Sequence, residues 1–361
     1  MSVFTNRPAV RWLVPAAAAV TIIGGGAALG TLTATAEPSL PPRSAAQLLV
    51  DLQTARLEGL SGTVVQRADL GLPALTALGA AGGDLTALAS GTHTARVWYA
   101  GPDKARIAVM DTRGETDVIR NGKDVWVWSS QRNEASHRVL RSHDDKPRAM
   151  PSGIPSTPQE AADQALAALD PTTEVTVGRA ATIAGRDAYE LVLTPRDPVS
   201  LVEQVRIAID AGEHVPLRFE VFAEGTDRPA IEVAFTQVDF SRPDPQQFVF
   251  NPPAGAKVTE EQDRPTERRY ADHRPDPQRA AAAKTVGTGW TTVLVARVPT
   301  GGDDREQVNA LLADLPTVSG DWGSGRLLST KLVSALLTDD GRVFVGAVRP
   351  DRLYEVARQN R

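Results

Sequence analysis

The sequence predicts an α+β protein: a strongly curved antiparallel half-barrel sheet with helices on its concave face, followed by a small carboxy-terminal α+β domain. Three observations predict it. Between Tyr189 and Phe240 four runs alternate apolar and polar residues with a period of two, which puts each apolar set on one face of a strand. Asn121-Gly122, set between two further alternating runs, is a strong short hairpin signal. Only two convincing amphipathic helices precede residue 250, so few helices must cover about ten strands. A flat sandwich would need a second apolar sheet; a curved sheet wrapped on its own helices is the other solution.

The chain has 361 residues and a net charge of -5, with Lys and Arg mixed among Asp and Glu. It offers no basic field to neutralise phosphates, which argues against nucleic acid as a partner. Cysteine is absent, so disulfides, thiolate metal sites, cysteine catalysis and lipidation on cysteine are excluded.

Residues 1–36 read as an export segment. Arg7 and Arg11 precede an uncharged run from Trp12 to Ala36 that ends in Ala34-Thr-Ala36. The small-x-small ending fits signal-peptidase cleavage, while the length of the run fits an uncleaved membrane anchor. Either way the remainder is expected outside the cytoplasm, secreted or anchored. Ser44 is placed to cap a helix from Ala45 to Leu57, and Gly62 to Arg67 reads as a strand. Leu70 to Ser90 holds no strand pattern. Its leucines, Leu72, Leu75, Leu78, Leu85 and Leu88, lie between glycines and read either as a mobile apolar lid or as a low-complexity surface insertion.

Hairpins resume at His93. Ala95 to Tyr99 and Lys104 to Met110 flank Gly101-Pro-Asp103; Thr116 to Arg120 and Asp124 to Trp128 flank Asn121-Gly122. A two-residue loop there pairs Val118 with Val125 and Thr116 with Val127, which puts these valines on the inner face. Trp126 and Trp128 then belong to the outer face or lie under a neighbouring segment. Thr157 and Pro158 can open a helix reaching Leu169, and Glu174 to Ile183 begins the second half of the sheet.

In that half, Tyr189, Leu191 and Leu193 alternate with Glu190 and Thr194; Val205, Ile207 and Ile209 with Gln204, Arg206 and Asp210. Leu217, Phe219 and Val221 alternate with Arg218 and Glu220, and Ile231, Val233 and Phe235 with Glu232 and Thr236. Small Ala-rich helices inside such a sheet either fill its core or leave apolar space. If space is left, its expected lining is Val118, Val125, Val127, Leu191, Val205, Ile207, Leu217, Phe219, Val233 and Phe235.

An early helix, Val97-Trp-Tyr99, Asn121-Gly-Lys-Asp-Val-Trp-Val-Trp128, a mid-chain helix and Val215-Pro-Leu-Arg-Phe219 together resemble the LolA-like superfamily. That group includes periplasmic lipoprotein carriers and the amino-terminal domain of the sigma-factor regulators RseB and MucB. The sequence resembles actinobacterial members most, through its Gly/Ala/Leu insertion. The resemblance spans roughly Ser44 to Val258 and rests on strand and turn patterns. It implies a half-barrel with helices as a lid, holding acyl chains or lipidated protein, and a basic residue in the cavity. Arg67, Arg96 and Arg106 are candidates for that residue.

The expected division is 1–36, the half-barrel at 37–259, a charged Pro-containing linker at 260–284 and a small α+β domain at 285–361. In the last, Thr291 to Val298 and Arg342 to Val348 read as strands, and Asp304 to Leu315, Thr330 to Leu337 and Pro350 to Arg358 as helices. Ser319 to Gly325 is glycine-rich but lacks the Lys-Ser/Thr of a phosphate loop. The five histidines are scattered, and Asp144-Asp145, Asp303-Asp304 and Asp339-Asp340 suit caps and turns. No nucleophile, base and orienting group converge, so neither an enzyme nor a metal or cofactor site is expected. Two functions remain: a carrier or sensor of lipid or lipoprotein acyl chains, or a membrane-associated regulator that binds a membrane protein without transporting anything.

Overall fold

The computed structural model describes residues 38–71, 90–111, 114–140, 171–260, 284–297 and 315–360. The lid leucines, the mid-chain helix, nearly all of the linker and the helix from Asp304, except Leu315, lie outside these residues.

The chain enters through helix α1, Ala45–Thr54. Ser44 and Gln47 form a reciprocal capping box, satisfying two of the amide donors that a helix start leaves free. The helix stops three residues short of Leu57. The Thr54 hydroxyl bonds back to the Val50 and Asp51 carbonyls, and Ala55 turns to an extended backbone.

One sheet of 13 strands follows. Its first half comprises β1 (Leu60–Asp69), β2 (Ser90–Tyr99), β3 (Lys104–Asp111), β4 (Gly114–Asn121), β5 (Asp124–Ser129) and β6 (Glu134–Val139). The second half comprises β7 (Thr173–Val177), β8 (Ala181–Ile183), β9 (Arg186–Pro195), β10 (Val202–Asp210), β11 (Pro216–Ala223) and β12 (Pro229–Asp239). Strand β13 (Lys257–Glu260) lies parallel beside β6, whereas every other pair in the sheet is antiparallel. The spatial order is β13-β6-β5-β4-β3-β2-β1-β12-β11-β10-β9-β7, with β8 beside β9. Among the described residues the two ends do not pair, so the sheet is open.

The Asn121 hairpin forms with a shifted register. Asn121 closes the loop against Asp124, and Gly122, at φ 64°, takes the first loop position. Val118 therefore faces Val127, not Val125, and Arg120 faces Val125. A shift of two residues preserves the faces, so the three valines still share one side.

Residues 315–360 and 284–297 build a second sheet of six strands. These are β14 (Lys284–Val286), β15 (Val293–Arg297), β16 (Thr317–Gly320), β17 (Gly323–Ser329), β18 (Ser334–Thr338) and β19 (Arg342–Gly346), in the order β14-β15-β19-β18-β17-β16. Helix α2 (Pro350–Gln359) packs Leu353 and Val356 against Leu336 and Phe344. The helix expected over Thr330 to Leu337 is instead a turn followed by β18. The Thr330 hydroxyl accepts from the amides of Leu332 and Val333, which fixes the turn. Ser334, Leu336 and Thr338 are then buried in alternation with Ala335 and Leu337, the period of a strand with a neighbour on each side. Gly325 permits the close approach of β17, since a Cβ there would lie 2.3 Å from the Leu337 carbonyl oxygen.

The two sheets touch. Ser200 bridges Val348, the Leu201 amide donates to the Ala347 carbonyl, and the Arg349 amide donates to Val199. Leu332 is buried against Val202, Val205 and Val221, and Trp290 Nε1 donates to Thr173 Oγ1 at 2.7 Å. Lys331 pairs with Asp69 at 2.7 Å and its amide donates to the Leu70 carbonyl.

At the other edge, β13 is held to β6 partly through His137. Its Nδ1 faces Glu260 at 2.8 Å, its Nε2 faces Asp124 at 2.9 Å, and its ring stacks on Trp126 at 4.1 Å. Burial opposes the charged imidazolium, but hydrogen bonds to the two carboxylates outweigh it and raise the pKa. A raised folded-state pKa makes this contribution full below the unfolded value of about 6.5 and lost as pH rises through the folded value. Urea midpoints measured across that window should fall with pH in the parent. The fall should shrink in His137→Gln; an identical pH profile in the variant would remove His137 as its source.

A candidate apolar binding face

Register assigns every side chain in the large sheet to one of two faces. On one face a direct cross-strand row runs Val97–Ile107–Val118–Val127–Ser136 through β2 to β6. Beside it runs Tyr99–Ala105–Arg120–Val125–Arg138. The same face continues through Val64 and Ala95, then Val233, Phe219, Ile207 and Leu191.

The ten residues expected to line an apolar cavity separate on this face. Phe219, Val233 and Phe235, with Val64, Ala95 and Val97, line a cleft of about 180 Å³. Val118 and Val127 lie further along the face and are 42% and 36% exposed. Val125 sits beside them, half-buried. Leu191 is fully buried against Leu48 and Leu49 of α1, and Ile207 packs on the same cluster. Val205 is buried with Val202, Val221 and Leu332. Leu191 and Val205 are buried and serve packing, whereas Ile207 is only partly buried. Leu217 stands at a register break, where Ala208 faces Arg218 but Ile209 faces Pro216. The extra residue turns Leu217 into a cluster with Ile183, Ala188 and Ala208, and Leu217 also lines the cleft.

Val64, Ala95, Val97 and Ile107 are the site residues missing from the expected set. Their strands were foreseen and their alternation is regular, so counting by twos along each gives their face, but not that β1 lies between β2 and β12. No basic candidate falls on this face. Arg67 pairs with Glu232 at 3.0 Å, and Arg106 holds Asp117 through two bonds of 3.0 and 3.2 Å beneath the Trp98 ring. Arg96 stands opposite Ala108, the neighbour of Asp117 in register. All three belong to the opposite face because each sits an odd number of positions from Val64, Ala95 or Val97, or from Ile107.

That opposite face is polar over one half of the sheet and aromatic over the other. Arg218 lies between two buried carboxylates, 3.1 Å from Glu190 and 3.2 Å from Glu220. Burial raises the Glu220 pKa, and the neighbouring Glu232 and Glu190 add to the effect against the pull of Arg218. Over the other half, Pro245–Phe248 and Phe250 cross the strands. Phe248 and Ile119 are fully buried, and Phe250 meets the Trp126 and Trp128 rings at 5.3 and 6.0 Å between centroids. Among the described residues, no group of three or more His, Cys, Asp or Glu is placed to hold a metal ion, and no helix is long and apolar enough to cross a membrane.

No protein-family model matches the chain, and no curated protein does. Solved structures do. One is the MucA/MucB complex of Pseudomonas aeruginosa, at 15% identity over 87% of this chain and 96% of that one, with a TM-score of 0.42. An uncharacterized conserved protein of Thermus thermophilus matches at 12% identity over 60% of this chain and 98% of its own, TM-score 0.34. A LolA superfamily protein of Nitrosomonas europaea matches at 13% identity over 58% of this chain and 99% of its own, TM-score 0.23. The MucB and LolA groups are those that the sequence motifs resemble.

Arg218 is partly buried on the polar face, beside both Glu190 and Glu220. Arg218→Ala should destabilise the protein by about 3 kcal/mol, toward the lower end for a broken buried pair because the guanidinium is partly solvated. Chemical denaturation checks this, and a change within about 0.5 kcal/mol would show that the carboxylates need no partner.

Proposed function

We propose that this is an extracytoplasmic, non-catalytic binding protein that takes the acyl chain of a lipid or lipoprotein onto the apolar face of its large sheet. The observation that carries the reading is the cleft among Val64, Ala95, Val97, Phe219, Val233 and Phe235, which is continuous with exposed valines on the next strands. Exposed apolar surface lined this way loses solvation free energy at roughly 25 cal/mol per Å² until something covers it. An acyl chain is long, flexible and without hydrogen-bonding demands, which suits a row of Val and Ile side chains offering none. In this reading the sheet curves around its occupant, the amino-terminal segment delivers or tethers the protein at the membrane, and 37–259 and 285–361 are its two domains.

A regulatory reading stands beside it, in which a membrane-protein segment occupies the face and nothing is transported. The contact between the two sheets favours keeping it in view, since the small sheet buries Leu332 against β10 and β11 and so ties any change in those strands to itself.

Phe219→Asp tests the binding face. A carboxylate in the cleft wall is expected to abolish uptake of a fluorescent fatty-acid probe, and Val97→Asp should do the same at the opposite wall. Folding is followed in parallel by near-ultraviolet circular dichroism. A folded variant that binds the probe with parental affinity would move the binding site elsewhere.

A further inference from the structure

The edge strand β13 has little apolar reason to stay where it is. All four of its residues, Lys257 to Glu260, are exposed. Its attachment is polar: the parallel pairing with β6, the Lys257–Glu134 ion pair at 3.0 Å, the bond from Asn133 Nδ2 to the Gly255 carbonyl at 2.9 Å, and His137. The segment before it is anchored separately, by buried Phe248 and by Phe250 against the Trp126 and Trp128 rings. Between that anchor and the strand lies a turn. There the Ala256 amide donates to the Pro253 carbonyl, and Gly255 takes φ 80° with open space around it. Strand β13 can therefore swing about this turn and leave the aromatic cover in place.

His137 is placed to govern the swing. Its two ring nitrogens lie 2.8 Å from a Glu260 oxygen on β13 and 2.9 Å from an Asp124 oxygen on β5. An ionised carboxylate only accepts hydrogen bonds, and only the imidazolium carries a donor on both nitrogens. The neutral ring has one N–H for two carboxylates, and its bare nitrogen faces the second oxygen lone pair to lone pair. The charged groups around the site are Lys123 and Asp124 at the β4–β5 hairpin, Glu134 and Arg138 on β6, and Lys257 and Glu260 on β13. Glu134 is taken up by Lys257, Arg138 belongs to the other face, and the covering segment presents the uncharged Phe250.

We propose that His137 is an acid-closed clasp: its imidazolium bridges Asp124 and Glu260 and keeps β13 on the edge of β6, and loss of the proton lets β13 swing off, baring that edge and the Trp126 ring. Burial opposes the charge on His137, but the two carboxylates outweigh it and raise the pKa. A raised value in the closed form means that closure is favoured below the open form's value of about 6.5 and is lost as pH rises through the closed one. The device does not depend on what the apolar face binds. His137 shares its face with Trp126, whereas the row that reaches Val127 and Ser136 lies on the other side of the sheet.

The chain has no cysteine, so Val258→Cys gives the full chain one site for a bimane label. Val258 stands in register with Ala135, and Ala135 with Trp128. A docked β13 therefore holds the label beside tryptophan rings, which quench it on contact. Titrated from about pH 5.5 to about pH 8.5, the labelled protein should be dim in acid and brighten with a midpoint above about 6.5. Adding His137→Gln should make the emission flat with pH. Adding Glu260→Gln should keep the label quenched throughout, because an amide can donate to the bare nitrogen of the neutral ring. Near-ultraviolet circular dichroism should stay constant over the same range, which separates a swing of β13 from unfolding. A label equally quenched at every pH, a rise that survives either substitution, or a dichroism signal lost together with the quenching would overturn the clasp.

Discussion

The pairing of β1 with β12 is the constraint on which the rest of the structure depends. It joins the half of the sheet that ends at β6 to the half that begins at β7, and it does so between residues as far apart as Arg67 and Glu232. Closing so long a loop is entropically unfavourable and must be offset by what the pairing buries. A single irregularity sets its outcome. Thr63 faces Gln237, but Val64 faces Phe235, so Thr236 is the extra residue and its hydroxyl donates to the Thr63 carbonyl. The bulge brings Val64 onto the same side as Phe235 and Val233. Without it the apolar residues of the first half would face away from those of the second, and no common cleft could form.

Each face then solves a different problem. On the polar face the central strands carry Arg67, Glu190, Arg218, Glu220 and Glu232 close enough that charge must be matched across strands. Arg218 answers for two carboxylates, and Glu220 answers in part by holding its proton more tightly. Arg206, opposite Glu220 in register, instead lays its guanidinium over the Phe222 ring at 4.6 Å. Further along, the same face is too apolar to be left to water, and the segment after β12 folds back over Ile119 and Trp128, burying its own Phe248. His137 and β13 end that cover, which explains why a short, fully exposed parallel strand is retained at the edge.

Much of this was legible in the sequence because period-two alternation is a direct record of which side a residue faces. The strands of Tyr189 to Phe240, the hairpin at Asn121 and the assignment of Trp126 and Trp128 to the outer face or under a neighbouring segment follow from it; the Ser44 cap follows from residue type and position. What was not legible depends on events that leave no periodic trace. The bulge at Leu217 reverses one side chain without changing the pattern around it. The valine pairing shifted by two because the loop residues are Gly122 and Lys123, a choice that turn composition alone leaves open. Thr330 to Leu337 is rich in residues that a helix accepts, and only its place between β17 and β19 makes it a strand. Strand β13, the arginines of the polar face and the burial of Val205 under Leu332 are set by partners distant in the chain. The lining of the cleft was half visible: Phe219, Val233 and Phe235 were named, whereas Val64, Ala95, Val97 and Ile107 became site residues only once β1 was seen to lie between β2 and β12.

Among the described residues, the open stretch of apolar face follows from a mismatch of lengths. Helix α1 has 10 residues, about 15 Å at 1.5 Å per residue. The path from β13 to β7 crosses eleven strand spacings, roughly 53 Å at ~4.8 Å each. One such helix can seal only a few strands, and α1 is committed to β7, β9 and β10, where Leu48 and Leu49 meet Tyr189, Leu191 and Ile209. Its position is fixed further by the Tyr189 hydroxyl, which donates to the Pro41 carbonyl at 2.9 Å. The small sheet covers Val202, Val205 and Val221. Neither cluster includes Val97, Ile107, Val118 or Val127. The apolar strip is thus confined to the half of the sheet that α1 does not reach, beginning at the cleft and ending at β6.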